Sequence, residues 1–115
     1  MRRSFDREPE IVRFLSGYFG PYPFRDVGGI VDHLPGVGFA LENQTRPIYA
    51  QEFFYDPIGA DGVVVHELAH LVGLDHVDDP TQLMYPTTSL TRSAFGAGDL
   101  AGLAALGAGE CAPDV

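Results

Sequence analysis

Hydrophobic residues recur at helical spacing through residues 8–19 (EPEIVRFLSGYF), at Ile11, Val12, Phe14, Leu15, Tyr18 and Phe19. Side chains three and four apart share one face, so the stretch predicts an amphipathic helix packed behind a sheet. Gly20 and Pro21 supply its stop. The rhythm then changes. Residues 20–26 (GPYPFRD) read as a proline-punctuated connector, and three short apolar stretches at 27–32, 38–42 and 47–54 predict strands broken by glycine and proline. Asp56 and Pro57 open a turn, and Asp61 is placed to cap a helix over 62–72. That helix carries Val63, Val64, Val65, Leu68, Ala69, Leu71 and Val72 nearly all round, so it should lie buried, with the sheet on one side and later segments on the other. Residues 97–107 (AGDLAGLAALG) predict a last, small-residue helix with Leu100, Leu103, Ala104 and Leu106 inward.

A chain of 115 residues is one domain, here a sheet-bearing half at 1–60 and a half at 61–115 built on the buried helix. Hydrophobic residues make up 45%, enough for a core, and a monomer is expected. The formal charge of −9 counts against nucleic acid or an anionic membrane as a partner. The start, MRRSFDREPE, has arginines with no apolar stretch behind them, so it does not read as a signal peptide. No run approaches membrane-spanning length, and the cytoplasm is the default location. Cys111 is alone, so no internal disulfide forms.

The run HELAHLVGLDH at 66–76, with LMYP at 83–86, adds chemistry. On a helix, His66 and His70 project from one face about a turn apart and can grip one ion. The carboxylate of Glu67 can reach a water at the same metal. Gly73 permits the left-handed backbone that ends a helix, and the turn brings His76 in from outside it. Three neutral imidazoles leave a fourth tetrahedral position open, the mark of a catalytic zinc. Asp78 and Asp79 read as turn residues before Pro80, and His33 as exposed.

From about residue 62 onward, this motif, the DDP turn, LMYP and the closing helix together resemble a matrixin, a metzincin zinc endopeptidase. The resemblance implies zinc held by His66, His70 and His76, Glu67 as general base, and Met84 as the apolar floor under the metal. It also implies that Asp99 braces the methionine turn from the last helix. The fold it implies is α+β: a minimal zincin-like domain with a small mixed twisted sheet, a backing helix, a central zinc-binding helix and a C-terminal helix. Thr88 stands where matrixins have a tyrosine, and Gly98 replaces an acidic residue. Residues 5–58 instead resemble the segment before the zinc motif in the aminopeptidase-N family, a gluzincin, with GFALEN at 38–43 in place of a GAMEN-like motif. The whole looks like a chimera. Gluzincins take a glutamate as third ligand, but Ser89 falls at that place, so His76 completes the set.

The implied activity is zinc-dependent hydrolysis of a peptide or unfolded protein substrate by a metzincin-type endopeptidase. Gly38, Glu42, Tyr85 and Pro86 are the candidates to touch substrate. Two alternatives stand beside it: an aminopeptidase in which Glu42 holds the free amine, and a zinc-binding domain with little turnover.

Overall fold

The periodic stretch forms a helix over Glu8–Phe19 (α2), preceded by a single turn at Arg2–Phe5 (α1) that the hydrophobic pattern does not signal. A computed structural model describes residues 2–33, 35–36, 39–55, 60–87 and 91–108. Ile11 and Leu15, one turn apart, bury the inner stripe of α2. Gly20 ends the helix at φ +84°, a conformation that favours glycine, and donates its N–H to the Ser16 carbonyl at 3.0 Å.

Three strands follow, Ile30–Asp32 (β1), Ala40–Leu41 (β2) and Ile48–Ala50 (β3), in the order β1-β3-β2. β1 runs parallel to β3, with Val31 opposite Tyr49, and β2 runs antiparallel to it, with Ala40 opposite Tyr49. The sheet is mixed and small. Each strand is shorter than its hydrophobic stretch, and Gly38 lies outside the described residues. The third stretch leaves the sheet at Ala50 and continues as a 3₁₀ turn, Gln51–Phe54. That curl folds Phe54 back onto Phe5 (centroids 5.4 Å apart) and Tyr49 (5.9 Å), a contact that an extended strand would not make. Gly29 sits beneath this aromatic cluster, where a Cβ would lie 2.4 Å from the Phe5 ring.

The apolar helix is α3, Asp61–Leu71, with Gly62 through Ala69 all buried. Asp61 does not cap it, contrary to the expectation from sequence. Ala60 holds the cap position and Asp61 is the first helical residue, its carboxylate 3.2 Å from Arg7 Nη1. A negative charge in the first turn still suits the helix dipole. The Ala60 N–H donates instead to the buried Ser4 hydroxyl at 3.1 Å. The unsignalled α1 turn therefore anchors the start of α3.

The last helix, α4, spans Ala97–Gly107, the bounds the pattern predicts. Its inward set is narrower than predicted: Leu103 is fully buried, Leu100 and Leu106 are 37% and 43% exposed, and Ala104 is exposed. The helix packs against α2, and among the described residues no second helix or strand makes comparably extensive contact with it, which leaves the outer leucines exposed. Small residues allow the close approach. A Cβ on Gly107 would lie 2.7 Å from the Tyr18 carbonyl oxygen, and one on Gly102 2.8 Å from Leu74. Among the described residues, no helix is long and apolar enough to cross a membrane.

Candidate metal centre

His66 and His70, one turn apart on α3, bring their Nε2 atoms within 3.0 Å of each other. The chain then reverses through a Schellman turn: the Gly73 N–H donates to the His70 carbonyl (3.0 Å) and the Leu74 N–H to that of Ala69 (3.2 Å). Gly73 takes φ +97°, the left-handed position that turn needs. Emerging from it, His76 places its Nε2 3.2 Å from that of His66 and 3.2 Å from that of His70. Three imidazole nitrogens thus form a nearly equilateral triangle. Nitrogens about 2.05 Å from a tetrahedral zinc lie roughly 3.3 Å apart, so the donor set and its spacing fit that ion. Three neutral nitrogens from histidine also match its ligand chemistry.

The backbone decides which nitrogen faces the centre. His66 Nδ1 meets the Leu83 carbonyl at 2.9 Å, and His70 Nδ1 meets the Leu74 carbonyl at 2.7 Å. A carbonyl can only accept, so each Nδ1 carries the proton and each Nε2 keeps its lone pair for a metal. Burial lowers the pKa of His66, against an opposing hydrogen bond to Leu83, which favours the neutral ring a ligand must be. His76 is exposed, and its own amide donates to the Asp75 carboxylate at 2.7 Å.

The turn that supplies the Leu83 carbonyl is itself clamped. Buried Asp99, in the first turn of α4, accepts the Leu83 N–H at 2.7 Å, the Met84 N–H at 3.2 Å and the Gly96 N–H at 2.7 Å. Met84 is fully buried and its carbonyl accepts the Val77 N–H at 3.0 Å. Gln82 answers from the other side. Its Oε1 accepts the N–H groups of Gly98 (2.8 Å) and Asp99 (3.2 Å), satisfying orphan donors at the start of α4, while Nε2 donates to Asp79 at 3.1 Å. Arg92 adds Nη1 contacts to the carbonyls of Pro80 and Gln82. Sequence reasoning missed Gln82 and Arg92. The only signal was the pair Gly96 and Gly98, where a Cβ would meet the Gln82 side chain at 2.4 and 3.0 Å.

A cavity of about 490 Å³ opens over the three histidines and is also lined by Glu67, Glu42 and Pro86. Glu67 is 5% exposed, and burial pushes its carboxyl up to about 7, with the Glu42 carboxylate adding to the effect. A carboxyl tuned near neutrality can both take and return a proton. Tyr85 does not line the cavity; its N–H turns to the Gln82 carbonyl at 3.4 Å. Gly38, Thr88 and Ser89 lie outside the described residues. His33 is exposed, accepting from the Gln51 side chain at 2.6 Å, apart from the cluster.

The matrixin family matches residues 21–106, most of the chain. The chain belongs to the matrixin family of zinc metalloendopeptidases. It is 33% identical to macrophage metalloelastase of Oryctolagus cuniculus over 104 residues, covering 84% of this chain and 22% of that protein. It is 32% identical to probable matrix metalloproteinase 095L of Invertebrate iridescent virus 3, covering 90% of this chain and 31% of the relative. Matrilysin of Felis catus is 35% identical over 89 residues. The chain therefore spans about a fifth to a third of the length of these relatives. No solved structure matches it. The family match begins at residue 21, so it takes in residues 21–58 of the sheet-bearing half as well as the zinc helix.

Proposed function

We propose that this protein is a zinc-dependent endopeptidase that cuts peptide or unfolded protein chains internally. The observation that carries the reading is the convergence of three Nε2 atoms within 3.2 Å at the floor of a cavity that also holds the buried Glu67. His66, His70 and His76 hold the metal, with Gly73 shaping the reversal and Asp99 bracing the turn. Met84 serves as an apolar floor. Zinc, when bound, supplies a Lewis acid that acidifies water and polarises a carbonyl. Glu67 takes the proton from the attacking water and returns it to the leaving amine, two transfers suited to a carboxyl poised near neutrality. No other polar side chain competes for Glu67 in a hydrogen bond among the described residues.

The substrate lies extended beside β2, whose outer edge has no partner strand among the described residues, with Glu42 and Pro86 at the cleft. Residues 1–60 and 61–115 act as one catalytic domain, and the sheet half meets the zinc helix directly through α1 and β2. The acidic balance of −9 supports a monomer with no nucleic acid or membrane partner. The test is hydrolysis of casein and of an N-blocked internal peptide by the zinc-loaded protein. Cleavage of both that disappears in a Glu67→Ala variant still holding zinc establishes the reading. Zinc-loaded protein that cuts neither overturns it.

A further inference from the structure

Glu42 stands apart from the other polar groups in the cleft. Among the described residues, three carboxylates line the cavity, those of Glu42, Glu67 and Asp75, and no lysine or arginine does. Asp75 is engaged by the His76 amide, and Glu67 is buried beside the histidines. Glu42 is exposed and, among the described residues, has neither a hydrogen-bond nor an ion-pair partner. Phe39, Ala40 and Glu42, the residue just past β2, line the cavity, while Leu41 does not and is 45% exposed. β2 is an edge strand whose outer side has no partner strand among the described residues, so a peptide added there projects every second side chain towards the cavity. A side chain beside Glu42 meets a carboxylate that has no countercharge.

We propose that Glu42 makes the cleft selective for substrates with a cationic group, the lysine or arginine side chain of an internal residue close to the scissile bond. This rests on the hydrolytic reading and names its substrate class. A guanidinium fits best, because its planar donors can engage both carboxylate oxygens. The exposed position of Glu42 keeps the gain modest, between a surface ion pair and a sheltered charge-assisted bond, about five- to tenfold.

The experiment uses peptides blocked at both ends and identical except for one position, scanned on either side of the cleaved bond through arginine, lysine, norleucine and glutamate. Two quantities are measured: kcat/KM with zinc-loaded protein, and equilibrium binding of the same peptides to zinc-loaded Glu67→Ala. At one position arginine and lysine should exceed norleucine by about five- to tenfold in both, with glutamate lowest. Glu42→Gln should erase the difference, Glu42→Lys should invert it towards glutamate, and 0.5 M salt should shrink it. Equal values for lysine and norleucine, or a preference that survives in Glu42→Gln, overturn the proposal. A preference that appears only when the N-terminus is left free also overturns it, assigning Glu42 to the terminal amine. Selective binding without any turnover leaves the cationic subsite standing and removes the hydrolytic reading instead.

Discussion

The carbonyl of Leu83 accepts a hydrogen bond from His66 Nδ1 at 2.9 Å, while the amide of the same residue donates to Asp99 at 2.7 Å. One backbone residue thus couples the first turn of α4 to the most buried of the three histidines. Asp99 touches no metal-facing atom, yet it determines where the carbonyl that aims His66 can sit. Partners of this kind are worth tenfold or more in metal affinity when lost.

Replacing Asp99 by Asn keeps the volume but turns one acceptor into a donor facing backbone N–H groups. The variant should bind zinc about ten- to a hundredfold more weakly and lose about 1–3 kcal/mol of stability. Competition against a chromophoric chelator, beside denaturant unfolding of the zinc-free protein, separates the two effects. Unaltered zinc affinity would remove Asp99 from the support of the site.

Glu67→Gln should leave zinc near one per chain and depress kcat by about a hundred- to ten-thousandfold, the usual range for losing a positioned general base. Metal content by atomic absorption and turnover of a blocked peptide give the two readings. Full activity in this variant would mean that another group moves the proton.

Stripping the metal should lower the melting temperature by several degrees or more. The three Nε2 atoms stand 3.0–3.2 Å apart with their lone pairs converging, an arrangement that a bound cation stabilises, and His76 rides on an exposed loop. His76→Ala should reproduce most of that loss and bind zinc more weakly. An unchanged melting temperature after confirmed removal of the metal would show that the loop at 74–87 is held by its hydrogen bonds alone.

Glu8 makes stability depend on pH. It is 4% exposed, its Oε1 has no hydrogen-bond partner among the described residues, and burial raises its carboxyl from about 4.5 to about 7. The unfolded chain ionises first as pH rises. The penalty on folding is absent below pH 4.5, grows between pH 4.5 and about 7, and stays constant above that. Glu8→Gln should therefore be more stable than the parent by about 3 kcal/mol at pH 8 and close to equal at pH 4, measured by denaturant unfolding. A gap that does not change with pH would show that the effect is steric.

Much of the architecture was readable because hydrophobic spacing governs it locally. Ile11 and Leu15 mark the inner stripe of α2, and the uninterrupted valines of α3 announce burial on every side. The histidine spacing placed the metal centre because a helix and one glycine-directed reversal suffice to gather it. What was illegible depends on distant partners. Nothing around Ser4 says that its hydroxyl will meet an amide fifty-six positions later, or that Arg7 will meet Asp61. Asp61 looked like a cap because its residue type suits that role, but the helix already starts at Asp61 and its carboxylate turns to Arg7. Leu100 and Leu106 looked inward because periodicity cannot tell how many layers will cover a helix. Gln82 carries no pattern at all; its role exists only once α4 is docked.

The metal ligands lie four, six and ten positions apart, whereas the clasps from α1 to α3 join residues fifty-four and fifty-six positions apart. Closing a short loop costs less entropy than closing a long one, and contacts of small sequence separation form earlier. The zinc-binding segment can therefore assemble while the sheet is still unpaired. An ion captured at that stage is a nucleus for the rest of the chain rather than a late addition. Refolding should accelerate with zinc present from the start, and zinc added after the sheet has formed should no longer change the rate.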